Sequence, residues 1–219
     1  LRTDACVMFV QVTRIGFFVF ARLRNLIEKL FGKKGEKYLN TLTSGIPLEL
    51  NPNLMFSIKL FQLNNGSADL EEIVNNFGHL AIHELELSIP RYKEQPDLLM
   101  KLAGKILGNP QKELEIVMQK SKELKKNLLS ESGEYSDKLE REINIARRYL
   151  PLREVVKFEF LRDYDLLRTL ALRIEDKLQW EKGLIFSLNP DEIFSLAENH
   201  KSLHKTATSR KKRRDEEKS

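Results

Sequence analysis

The chain has 219 residues, with 37 Lys and Arg against 32 Asp and Glu for a net charge of +5, and 41% of its residues are apolar. That apolar content excludes a wholly disordered chain, because burying it offsets the entropy of ordering. The single cysteine, Cys6, excludes a disulfide framework and a cysteine-based zinc site, and fits a reducing, cytoplasmic setting.

The charge excess is local. From Lys201 to Ser219 eight basic residues stand against three acidic ones, and the first 200 residues are balanced. The basic run from Arg210 to Arg214 therefore marks a charged tail, a flexible stretch or severed linker, and the neutral body argues against a nucleic-acid groove.

In chain order, the sequence opens on Leu1-Arg2-Thr3-Asp4 without a methionine, as a processed or partial piece would. The apolar stretch Ala5 to Ala21 carries Gln11 and Arg14 near its middle. A membrane span needs about 20 apolar residues, and a central arginine costs roughly 2.5–3.5 kcal/mol there. No basic leader precedes the stretch, so it does not read as a cleaved signal. A buried helix is the expected reading, ahead of a surface facing a neighbour or a membrane segment. It continues to Phe31, where Gly32 stops it.

Residues 36–44 read as a short helix broken by Gly45 and Pro47. Asn51-Pro52 is an N-cap with proline at the first helical position, opening a helix through Leu63. A turn at 64–67 leads to a helix over 68–77, with Leu70, Ile73, Val74 and Phe77 on one face. Residues 78–96 are irregular. Short helix 97–106 follows, then a helix from Asn109-Pro110 towards Leu129, a polar break at 130–135, and a helix from Ser136 to Tyr149. Pro151 kinks or restarts a long charged helix over 152–182, which Gly183 ends. Leu184 to Leu188 is partly β-prone, and Pro190 opens a last helix through Leu196. The expected fold is mainly all-α and bundle-like: several long antiparallel helices and at most a short strand pair. Residues 1–200 form the expected body, with a division at 108/109 as the alternative to a single domain, and 201–219 form the tail.

Chemistry concentrates in the irregular centre. His79 and His83 stand four apart, followed by Glu84, Glu86 and Arg91. His-x-x-x-His on a helix is a zinc spacing, but the inner glutamate of the protease motif is missing, since residues 80 and 81 are Leu and Ala. The simpler reading is a buried polar network fixing the segment, with Arg91 paired to Glu84 or Glu86.

Residues 77–96, FGHLAIHELELSIPRYKEQP, resemble a signature of the phosphoenolpyruvate-utilising phosphotransferases, the family of phosphoenolpyruvate synthase and rifampicin phosphotransferase. The pattern F-G-H-R-G-x-x-E-x-[DE]-L-S-x-P-R-W is met at Phe77, Gly78, His79, Glu84, Glu86, Leu87, Ser88, Pro90 and Arg91. Tyr92 stands for the tryptophan, and Leu80 and Ala81 replace the arginine and glycine. TLTSGIP at 41–47, the charged helix around Arg153, Arg162 and Arg168, and GLIFSLNPDEIFSL at 183–196 extend the resemblance.

The resemblance implies the helical part of a transferase that lies between an ATP-grasp domain and a phosphohistidine domain, where pyruvate or an antibiotic hydroxyl accepts the phosphoryl group. ATP and Mg are implied for the complete enzyme and none for this chain, which shows neither catalytic partner domain. Those domains, in cis or trans, and a small-molecule acceptor are the implied partners. His79 is then the candidate general base. Glu84, Glu86, Arg91, Arg153, Arg162 and Arg168 are the candidate cleft residues, the arginines because their forks suit phosphate or carboxylate. The competing reading is a non-catalytic helical interaction domain.

Overall fold

Apolar residues at helical spacing, punctuated by Asn-Pro caps and left-handed glycines, give a chain made of helices joined by short turns. A computed structural model describes residues 3–217, with side chains from Val7 onward. Leu1-Arg2 at the opening, the Cys6 side chain and the closing Lys218-Ser219 lie outside the described residues. No strand occurs among the described residues, and the fold is all-α and bundle-like. Contacts group the chain into two units: residues 1–78 with 95–160, and 79–94 with 161–219. They do not divide it at residue 108.

Unit 1 begins with α1 (Thr3–Phe31), which ends where Gly32 takes a φ of +61°, and α2 (Glu36–Thr43) follows a 3-10 turn. Next come α3 (Pro52–Asn64), α4 (Leu70–Phe77), α5 (Pro96–Ala103), α6 (Pro110–Glu131), α7 (Ser136–Tyr149) and the first residues of α8 (Leu152–Lys177), to Phe160. The Asn51 side chain accepts from the Leu54 amide at 3.1 Å, and Pro52 opens α3. This is the N-cap its sequence predicts.

Leu23, Leu26 and Ile27 of α1 pack with Leu39 and Leu42 of α2, Leu128 of α6, and Leu139, Ile143 and Ala146 of α7. Spacings of three, four and seven residues put each set on one helical stripe. The helices α6 and α7 run antiparallel, since Ser121 meets Arg147 while Lys125 meets Glu140 and Asn144. So do α1 and α7: Gly16 lies by Leu150, Arg22 pairs with Glu142, and Lys29 covers the Tyr135 ring.

The expectation that Ala5 to Ala21 is buried fails on one face. Val19 is buried, but Phe17 and Phe18 are 67% and 62% exposed, and Val7, Met8, Val10 and Ile15 are exposed too. Packing uses one stripe of α1 and leaves the other outside. No helix among the described residues is long and apolar enough to cross a membrane.

Unit 2 holds the 79–94 loop, α8 from Leu161, α9 (Pro190–Phe194) and α10 (Leu196–Glu216), which breaks helical geometry at Asn199. The expected short strand at Leu184 to Leu188 is instead a 3-10 turn, Leu184–Ser187. Its cause is Glu175, whose carboxylate accepts from the Gly183 and Ile185 amides at 2.7 and 2.9 Å. With Gly183 at φ +85°, the chain curls instead of extending.

Leu184, Ile185, Leu188, Leu196 and Ala207 form this unit's core. The stretch from Lys201, expected to be a charged tail, continues α10 to Glu216 and buries Ala207. Arg210 forks onto Glu192 at 2.6 and 2.9 Å, and Lys211 pairs with Glu181.

Candidate functional site

The 79–94 loop gathers most of the residues singled out in the sequence. Its last turn is a 3-10 turn, Tyr92–Glu94, and the Tyr92 amide reaches back to the Leu80 carbonyl at 2.9 Å. That bond closes the loop on itself. Arg91 is wholly buried, at 0% exposure, and its Nη1 donates to the Glu84 carbonyl at 3.0 Å. The expected partner was a carboxylate of Glu84 or Glu86; the loop instead uses a main-chain oxygen. Glu86 turns outward and accepts from the Ser88 amide at 2.9 Å, which lowers its pKa.

The strongest element is one that the sequence did not pair. Arg168 of α8, also buried, donates from Nε and Nη2 to the two oxygens of Glu94 at 2.6 and 2.9 Å, and from Nη1 to the Leu87 carbonyl at 2.5 Å. Its guanidinium also lies over the Phe186 ring, 5.0 Å from the centroid. Such a bidentate, partly desolvated pair fixes geometry as well as energy.

Glu94 accepts in addition from the Arg91 amide at 3.0 Å. Burial pushes its pKa up, but the hydrogen bonds from Arg168 and the Arg91 amide outweigh that and hold it below the ordinary value. Lys93 pairs with Asp165, one turn before Arg168 on α8, at 2.6 Å. Arg91, Lys93 and Arg168 are thus gathered with the carboxylates of Glu94 and Asp165. Burial first, and then the like charge of Arg168, lower the pKa of Arg91. Burial raises that of Tyr92.

The remaining candidates sit otherwise. His79 is buried at the start of the loop, and His83 is exposed. α4 ends at Phe77 and residues 82–85 form turns, so the two histidines do not share a helical face. Among the described residues no group of three His, Cys, Asp or Glu is placed to hold a metal ion. Arg162 is exposed on the part of α8 in unit 2. Arg153 belongs to unit 1 and bonds its neighbour Glu154 at 2.8 Å.

Glu94, Lys93 and Asp165 were missed as members of this cluster. Glu94 did leave a signal: it stands three residues after Arg91, the spacing at which a side chain can accept from a backbone amide at the start of a turn.

What this arrangement does is hold a loop. With its ends tied, the loop presents Ile82 and Leu85, 59% and 60% exposed, beside the exposed His83 and Glu86. No family model matches the chain, and no curated protein matches it in sequence.

Proposed function

We propose that this chain is a helical docking module, related to the phosphoenolpyruvate-utilising phosphotransferases, that performs no chemistry of its own. The observation behind this reading is the occupation of Arg168. Each of its three guanidinium nitrogens donates to Glu94 or to the Leu87 carbonyl and the side chain is almost wholly buried, so Arg168 braces the 79–94 loop. The loop then acts as a preformed recognition element whose apolar tips, Ile82 and Leu85, touch a partner without the entropy cost of ordering a flexible segment.

A second reading, an acceptor-binding domain, has one observation in its favour. Nε and Nη2 of Arg91 and Oδ1 of Asp165 are buried and make no hydrogen bond among the described residues. These are donors and an acceptor that a hydroxyl or carboxylate ligand could use if the loop opened.

The two readings separate by calorimetric titration with pyruvate and with inorganic phosphate, alongside phosphotransfer assays with ATP or phosphoenolpyruvate. The docking reading expects no turnover and the same null titration for the native chain and for His79→Ala. Saturable binding of either ligand that is lost in His79→Ala replaces it with the acceptor reading.

A further inference from the structure

The outward face of α8 carries a pattern that is independent of what the loop does. Within unit 2 the buried residues of α8 are Leu161, Arg168 and Glu175, seven apart, so one line of the helix points inward. At about 100° per residue, the opposite line holds Asp163, Leu166, Leu170 and Arg173. Leu166 and Leu170 are 56% and 45% exposed, and Arg173 is exposed as well. Neither Asp163 nor Arg173 makes an ion pair among the described residues. They stand about 15 Å apart along the helix axis, so they do not reach each other within one chain.

In chain order this face reads acid, leucine, leucine, base, at the alternating three- and four-residue spacing of a coiled-coil seam. Such an order is its own complement when the chain direction is reversed. A two-fold axis level with Arg168, whose side chain points inward, sets Leu166 against the partner's Leu170 and Asp163 against the partner's Arg173. Symmetry repeats both layers on the other side of the axis. On one shoulder of the seam Arg162 meets the partner's Asp176, and on the other Leu167 and Ile174 continue the apolar surface.

These charges select the occupant. Two copies side by side in parallel would stack Asp163 on Asp163 and Arg173 on Arg173. An anionic lipid surface would meet an acid within the apolar seam. A wholly apolar helix of another protein would leave both charges unmatched. An antiparallel second copy matches every layer. We propose that α8 pairs antiparallel with α8 of a second copy, through the Leu166–Leu170 and Asp163–Arg173 layers. The seam is about four helical turns long. It falls short of a standard interface, so the dimer is weak and concentration-dependent.

The test is sedimentation equilibrium of the full chain over a range of concentrations, which should show a reversible monomer–dimer equilibrium. Asp163→Arg and Arg173→Asp each put like charges into both outer layers, and each should weaken the dimer about tenfold. Mixing the two variants restores opposite charges in both layers, so the mixture should regain the native association. The variant that carries both changes should regain it alone, which a parallel pair does not allow. Circular dichroism of all three variants should match that of the native chain, because both positions lie on the outward face.

Several results overturn the proposal. They are a chain that stays monomeric throughout, single variants that dimerise as the native chain does, or a mixture that stays monomeric. A mixture that dimerises while the double variant does not names a parallel pair. Self-association lost in Phe17→Ser but kept in Asp163→Arg moves the second copy to α1. Co-sedimentation with vesicles of phosphatidylcholine and phosphatidylserine in equal parts, lost in Leu170→Ser, gives the face to a membrane.

Discussion

Glu94 shows at the scale of one residue how the loop is held. Its carboxylate takes three hydrogen bonds, two from Arg168 and one from the Arg91 amide. Glu94→Ala leaves a buried guanidinium without its counter-charge, and should cost about 3 kcal/mol at neutral pH by urea unfolding of unit 2. Because folding lowers the pKa of Glu94 from 4.5, its contribution is fully present above that value. It is lost as pH falls through the lower folded value. The native chain should therefore lose stability in mild acid more steeply than Glu94→Ala, and the two curves should converge at low pH. Parallel curves would show that the carboxylate is not the titrating anchor. The sequence made Arg168 conspicuous but could not pair it with Glu94, because a partner 74 residues away leaves no local spacing to read.

At the scale of elements, Arg147 on α7 plays a part that nothing in the sequence flagged. From one half-buried guanidinium it donates to the carbonyls of Leu42 (2.9 Å), Ser44 (2.7 Å) and Gly45 (2.7 Å) and to the Ser121 hydroxyl (2.9 Å). It thereby caps the end of α2 and joins it to α6 and α7. Burial lowers its pKa. Arg147→Ala leaves these acceptors without a charged donor and should cost about 3 kcal/mol by urea unfolding. Arg147→Lys should recover only part of that, because an ammonium cannot span the acceptors a fork reaches.

Helix bounds were the most legible feature. Ser136–Tyr149 and the Asn51-Pro52 start follow directly from capping and periodicity. The exposed stripe of α1 was not legible, because apolar residues on several sides of a helix do not say which side finds a neighbour. The turn at Leu184 was not legible either, because its shape comes from Glu175 on another element.

At the scale of the molecule, the two units are interleaved along the chain. The 79–94 loop belongs with 161–219, and 95–160 lies with the N-terminal residues. Composition sees the charge run after Lys201 and suggests a tail. Packing puts Ala207 of its helix in the core of unit 2, and the Arg210–Glu192 fork ties the same helix down at the surface. The all-α class was readable from periodicity. The interleaving was not, because it depends on pairs such as Lys93–Asp165 that join distant stretches.

Interleaving also imposes an order in time. On a ribosome adding roughly 5–20 residues per second, the loop emerges about 4–15 s before the arginine that anchors it. Through that interval Ile82 and Leu85 hang on an unbraced segment, open to chaperones and proteases. Arrested nascent chains ending before Arg168 should be cut within 79–94 under a short protease pulse. Chains long enough to expose all of α10 should resist.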